Sequence, residues 1–330
     1  MQNKIALEEH ILTPDIEATW DDSGEAERNG AAYMSWVSER LLDVEKRVED
    51  MDACGIAKTI LSLTSPGIQS ITDVKVAVDA ARTANDRLHE HFVRAHPDRF
   101  AFFASVAMQD PAEAGHELER AVTDLGAKGA IINGYTNVGD DQTARYLDEP
   151  ENAPFWHRVA DLGVPVYLHP REPLPTQRRI YDGYTSLIGS AWAFGHETAT
   201  HAVRLMLSGL FDTHPDITII LGHLGEGLPF TLPRLEHRLS KQRDGIGRGS
   251  AQHTVSHYFN RNFLLTTSGH FHTRTLYNAL GEIGADRVLF SIDYPYETMQ
   301  DAAAWFDASL LSHNDRRKVG RENAERIFDL

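Results

Sequence analysis

Short apolar runs of five to seven residues recur along the chain, each followed by a longer stretch whose apolar positions have helical spacing. The runs predict strands at Ile5–Glu9, Lys58–Leu63, Ala101–Ala107, Gly129–Asn133, Val164–His169, Thr218–His223, Phe263–Ser268 and Val288–Asp293. Between them the spacing predicts helices at Leu41–Ala53, Val74–Ala95, Pro111–Leu125, Ala153–Leu162, Glu197–Phe211, Thr273–Ile283 and Asp301–Leu311, with a further one at Leu228–Lys241. Several strands are rich in Val, Ile and Phe without clean alternation, the pattern of strands covered on both faces. Eight such repeats predict an α/β fold, a (β/α)8 TIM barrel, with a doubly wound open sheet as the other arrangement this periodicity permits.

Composition narrows the classes. The chain has 330 residues, 42% of them hydrophobic, enough for one barrel with loop insertions and a sizeable core. No internal repeat or Pro/Gly-rich linker divides it, so residues 1–330 are expected to form a single domain. No apolar run reaches the length of a membrane span, and one cysteine, Cys54, permits no intrachain disulfide. These features predict a soluble, cytoplasmic protein that does not act on membranes. The formal charge of −16 disfavours nucleic acid as a partner, because that affinity rests on Lys and Arg contacts to phosphate.

A barrel carries its functional groups at the C-terminal ends of its strands. The first strand ends in Glu8, Glu9 and His10; alternation puts Glu8 and His10 on one face and Glu9 on the other, so one strand offers a metal two ligands. The fifth strand ends in His169, the sixth in His223 followed by Glu226, and the eighth in Asp293. Each has an ordinary reading alone: a solvated strand end for Glu8 and His10, a hydrogen-bonded core histidine for His169 or His223, a helix cap for Asp293. Their shared location points to a metal site. Other features are bland. His89, His91, His96, His157 and His214 fall in helices or beside Pro turns, His270 and His272 flank Phe271 after strand seven, and Cys54 follows a helix and is expected to be packed. The stretch SKQRDGIGRGS reads as an exposed basic loop, and no Ser-His-Asp nucleophile elbow is present.

The site residues stand in the motifs KIALEEH, HPDRF, VPVYLHPREPLP, IYDG, WAFGHETA, IILGHLGEGLPF, TTSGHF and DRVLFSIDYPYE. Through them the chain resembles the amidohydrolase superfamily, in the branch of aminocarboxymuconate-semialdehyde decarboxylase-like proteins, and is similar to the γ-resorcylate (2,6-dihydroxybenzoate) and 2,3-dihydroxybenzoate decarboxylases. The resemblance implies a barrel, one divalent metal ion, loss of CO2 from a small aromatic acid, and a homodimer or homotetramer. It implies that Glu8, His10, His169 and Asp293 are metal ligands, that His223 with Glu226 stands beside the metal, that Arg234 lies near the substrate, and that Trp192, Phe194 and Tyr296 line an aromatic pocket. The segment Ile11–Trp36 departs most from the family; there such a segment covers the pocket, so a lid-like insertion is expected around 11–36.

Two carboxylates and two imidazoles suit Mn²⁺ or Zn²⁺. An ortho-hydroxybenzoate presents a phenolic and a carboxylate oxygen that together chelate such an ion. Direct loss of CO2 would leave an aryl anion in the ring plane; protonating the carboxylate-bearing carbon first avoids this, and C–C cleavage then restores aromaticity. The general acid is Asp293 or His223, the latter with Glu226 setting its tautomer. The other reading is a mononuclear metal-dependent hydrolase of a lactone or amide, in which Asp293 takes a proton from metal-bound water. A binuclear hydrolase fits poorly, since the first motif is Glu-x-His and the fourth strand ends in IINGY with Lys128 at its beginning.

Overall fold

The computed structural model describes residues 1–13, 25–242 and 249–330. The expected insertion around 11–36 and the basic loop SKQRDGIGRGS therefore fall partly outside the described residues. Eight parallel strands form a closed ring. β1 (Lys4–Ile11) pairs with β2 (Ile56–Leu63), and β2 with the first part of β3 (Phe100–Phe102). At Phe103 the strand changes neighbours: the Phe103 N–H donates to Leu61 O at 2.9 Å, and the Ala104 N–H to Gly129 O at 2.8 Å. The second part of β3 (Ala104–Ser105) then pairs with β4 (Ala130–Asn133), and the ladder continues through β5 (Val166–His169), β6 (Ile219–Leu221), β7 (Phe263–Thr266) and β8 (Val288–Leu289). A parallel bridge between Leu7 and Ser291 closes β8 onto β1, backed by Leu7 N–H to Phe290 O at 3.3 Å and His10 N–H to Tyr294 O at 2.7 Å. That closure decides for the barrel over the open sheet.

The crossover helices follow local signals. Asp110 caps Pro111–Leu125, accepting from the N–H groups of Ala112 and Glu113, and Gly126, left-handed at φ 76°, ends it. The predicted helix from Leu41 is in fact two, Ala31–Leu42 and Val44–Cys54, because the Asp43 side chain accepts from Lys46 N–H and starts a new helix there. The predicted run to Ala95 is α-helical only over Val74–Leu88 and continues as a π-turn, His89–Val93. None of the described helices is long and apolar enough to cross a membrane.

The core has two parts. Ile5, Leu7, Ile60, Ala101, Phe103, Ile131, Tyr167, Ile220, Leu264 and Leu289 fill the barrel, and Ala324 and Phe328 of the last helix (Asn323–Phe328) join them. Lys128, just before β4, donates to Asp329 O at 3.2 Å, which places that helix at the end opposite the site. The larger cluster lies between strands and helices. Phe103 packs against both Tyr167 and Phe328, with ring centroids 5.8 and 5.6 Å away. Phe103→Ala is expected to cost ~3–5 kcal/mol of stability, read as a lowered midpoint in urea unfolding; an unchanged midpoint would show that the barrel interior does not depend on this ring.

Candidate active site

The strand ends converge through an irregular backbone. Ile5 and Leu7 point into the barrel, so strict alternation would carry Glu9 inward next. Instead the β1–β2 register slips between Ala6 and Glu9, and Glu8 takes φ 55°. This bulge turns Glu8 inward directly after Leu7 and resets the alternation, so Glu8 and His10 share the interior. Glu9 faces away: it accepts from Ile292 N–H at 3.0 Å, next to Asp293, and Arg47 stands opposite it. Burial pushes the Glu9 carboxyl up while Arg47 opposes that shift. Arg47 in turn donates to the carbonyl of His10 and lies 4.6 Å over the Tyr294 ring. Glu9 and Arg47 thus tie β1 to the end of β8 from behind. His223 (φ 50°), Leu224 (φ 56°), Glu226 (φ 55°) and Asp293 (φ 76°) are also left-handed. Such residues cost roughly 1–3 kcal/mol each and cluster where function demands an orientation.

Glu8, His10, His169 and Asp293 each bring one donor atom to a common point, all within 4.8 Å of one another. His169 Nε2 lies 3.3 Å from Glu8 Oε1, and His10 Nε2 lies 3.2 Å from Asp293 Oδ1. Yet Glu8 Oε1 and His10 Nε2 are buried without a hydrogen-bond partner. A buried charged oxygen left unpaired is costly. A divalent cation amid these four donors would satisfy both atoms, so the residues present fit a metal ion. The His10 ring is oriented by Ser62 Oγ, 3.3 Å from its Nδ1, the outer-shell contact expected of a metal-binding imidazole.

His223 stands beside this group. Its Nδ1 is 2.8 Å from Glu226 Oε1, and its Nε2 is 3.4 Å from Asp293 Oδ2 and 3.9 Å from Glu8 Oε1. Burial alone would lower its pKa, but Glu226, Glu8 and Asp293 together hold the imidazole well above its ordinary value. Burial would raise Asp293, but His10 and His223 hold it well below the usual carboxylate range. The pair is a proton held on His223 beside an ionised Asp293.

A cleft opens above these residues. Phe194 and Tyr296 line it, with Asn29, Tyr33 and Arg171 among its other walls. Tyr296 is fixed by Thr64, hydroxyl to hydroxyl at 2.6 Å, and by Tyr33, whose O–H donates to its carbonyl at 2.8 Å. Two expected pocket residues lie elsewhere. Arg234 is exposed on helix Leu228–Leu239, whose buried face is Leu228, Pro229 and Leu232; two residues past Leu232, a helix has turned to its opposite side. Trp192 is 52% exposed and meets His196 one turn along edge to face, 4.3 Å between centroids, and is not among the residues that line the cleft. Asp293 does not cap the following helix; Thr298 does. The sequence reading passed over Tyr167, Thr266 and Ser268, which surround Glu8. Alternation along β5 from His169 back to Tyr167 was the available signal.

The amidohydrolase family model matches residues 15–330. The chain belongs to the amidohydrolase family. Among its relatives, γ-resorcylate decarboxylase of Rhizobium radiobacter is 50% identical over 100% of this chain and 99% of that protein, and the enzyme of that name from Rhodococcus jostii is 46% identical over the same shares. Among solved structures, 2,6-dihydroxybenzoate decarboxylase complexed with 2,6-dihydroxybenzoate superposes with a TM-score of 0.94 at 48% identity, covering 100% of both chains. Dihydroxybenzoic acid decarboxylase of Polaromonas sp. JS666, with bound manganese and the inhibitor 2-nitroresorcinol, has a TM-score of 0.90 at 46% identity over 100% of this chain and 98% of that one.

In this amidohydrolase the electrostatics of His223 are open to test without substrate. Its folded pKa is raised, so its protonation contributes stability that is full below the unfolded value and lost as pH rises through the folded one. Glu226→Gln removes one source of that rise. In metal-free protein the His223 imidazole of the variant is expected to titrate at lower pH than in the wild type, followed by NMR. An unchanged titration would mean that Glu226 does not hold the charge on His223.

Proposed function

We propose that this protein is a metal-dependent carboxy-lyase that removes CO2, non-oxidatively and reversibly, from 2,6-dihydroxybenzoate to give resorcinol. The observation that carries the reading is the group of two carboxylates and two imidazoles at the foot of a cleft walled by Phe194 and Tyr296. The decarboxylase activity named for relatives of near 50% identity supports the ring chemistry.

In this reading Glu8, His10, His169 and Asp293 hold one Mn²⁺, the ion in the Polaromonas structure. When bound, the ion supplies the positive charge that draws the phenolic and carboxylate oxygens of the substrate together. Phe194 and Tyr296 hold the ring. His223 keeps a proton on Nε2 beside Asp293 Oδ2, with Glu226 fixing its orientation through Nδ1. Asp293 is too acidic to retain a proton alone, so His223 supplies it and Asp293 delivers it to the carboxylate-bearing ring carbon. The C–C bond then breaks, its electron pair returns to the ring, and CO2 leaves. The described part of the segment around 11–36, residues 25–36, borders the cleft: Asn29 and Tyr33 line it, and Arg28 reaches Glu172 at 2.5 Å, which also pairs with Arg178 at 2.8 Å. The protein works in the cytoplasm as a homo-oligomer, with exposed Ile180, Tyr184, Trp192 and Phe230 offering apolar surface to a second copy.

Protein loaded with Mn²⁺ is expected to release CO2 and resorcinol from 2,6-dihydroxybenzoate, faster than CO2 and catechol from 2,3-dihydroxybenzoate. Asp293→Asn is expected to lower the rate roughly 10²–10⁴-fold, the range for losing a proton-transfer group. No release from 2,6-dihydroxybenzoate by metal-loaded protein would contradict the reading.

A further inference from the structure

We propose that Tyr167 and Ser268, braced by Thr266, form a hydroxyl clamp that commits one oxygen of Glu8 to the protein and leaves only the other for the metal. The inference rests on the metal site proposed above and concerns how that site keeps room for substrate.

The two Glu8 oxygens have opposite surroundings. Oε2 accepts from the hydroxyls of Tyr167 and Ser268, with Thr266 Oγ1 at 3.4 Å. Oε1 has no hydrogen-bond partner and lies toward His169 and His223. Thr266 has a single hydroxyl hydrogen, and its nearest acceptors are Tyr167 Oη at 2.9 Å and Ser268 Oγ at 3.0 Å. It therefore braces the two donors more than it binds the carboxylate. All three side chains are fully buried, so no water competes with them.

The Gly222 backbone closes one side of the clamp. A Cβ added at Gly222 would sit 2.7 Å from Glu8 Oε2 and 3.0 Å from Ser268 Oγ. Only glycine fits there, and the carboxylate is walled in on that side. The Ser268 hydroxyl has a second duty: its oxygen accepts the His223 N–H at 3.0 Å, where the backbone takes its left-handed turn. One hydroxyl thus fixes both a metal ligand and the backbone of the proton holder.

The chemical consequence concerns open coordination positions. A carboxylate binds a metal through one oxygen or two. With Oε2 saturated by hydroxyl donors, Glu8 contributes one, and a position that a two-oxygen carboxylate would occupy stays available. A chelating hydroxybenzoate needs two. Tyr167, Thr266 and Ser268 are positioning residues: they act through Glu8 and do not touch the substrate.

The test uses the full chain, stripped of metal and titrated with Mn²⁺, free ion being read from its EPR signal. Wild type, Tyr167→Phe and Ser268→Ala are compared. Each variant is expected to bind Mn²⁺ about 10–100-fold more weakly, the usual loss for an outer-shell partner, while the metal-free proteins melt close to wild type. A second readout separates the clamp from general loosening. Water-proton relaxation enhancement reports how many waters sit on the bound Mn²⁺. In Tyr167→Phe, Oε2 keeps only the Ser268 hydroxyl and is expected to turn to the metal and displace water, so the enhancement falls. If Tyr167→Phe does not fold, Ser268→Ala carries both readouts. Wild-type affinity in the variants, or weaker binding with unchanged enhancement, would overturn the clamp and leave the metal site standing. Failure of the wild type to bind Mn²⁺ would overturn both.

Discussion

Everything at the top of this barrel answers to the burial of Glu8 and Asp293 beside each other and beside two imidazoles. Like charges this close repel strongly, and Glu8, fully buried, carries a large desolvation cost. Three devices offset it. His223 lies between the two carboxylates, which hold its pKa well above the ordinary imidazole value, hydroxyls cover the Glu8 oxygen that faces the protein, and the Glu8 oxygen left bare points where a cation fits. The strained backbone at Glu8, His223, Glu226 and Asp293 follows from the same demand, since regular strands could not aim all these groups at one point.

The rest of the chain supports that arrangement at a distance. Closure of β8 onto β1 brings Asp293 to His10, and the Glu9–Arg47 pair secures the seam from behind. The hydroxyls of β5 and β7 hold Glu8, and the cleft wall is fixed to the barrel through Tyr296, Thr64 and Tyr33. The second carboxylate of KIALEEH is thus structural and the first is chemical. Between two adjacent glutamates, that difference is made by one bulge.

The repeat of strand and helix was legible because several barrel strands are apolar on both faces and several crossover helices carry their own cap or stop, as Asp110 and Gly126 do for Pro111–Leu125. All eight strands stand where the apolar runs lie, but regular β6 ends before the left-handed turn at His223 and Leu224, and β8 continues only as a single bridge at Ser291 before left-handed Asp293. The four grouped donors were readable from a topological rule: polar residues at barrel strand ends face one mouth. The bulge at Glu8 was not, since nothing local marks it; alternation pairs Glu8 with His10 in any case, and the bulge is what turns that face inward. Arg234 stands exposed on its helix and Trp192 outside the cleft lining, because a helix face or a loop's direction depends on packing that no short motif encodes. Tyr167 and Ser268 lie within the predicted strands Val164–His169 and Phe263–Ser268, and only their convergence on one oxygen gives them meaning.

The central claim is that four residues from three strand ends hold one divalent ion that the substrate's own oxygens reach. Anomalous diffraction at the manganese edge, from crystals soaked with Mn²⁺ and 2,6-dihydroxybenzoate, tests it most directly. The account predicts a single strong peak among Glu8, His10, His169 and Asp293, touched by the phenolic and carboxylate oxygens of a ring lying between Phe194 and Tyr296. No peak there, or a ring bound away from it, would contradict the account.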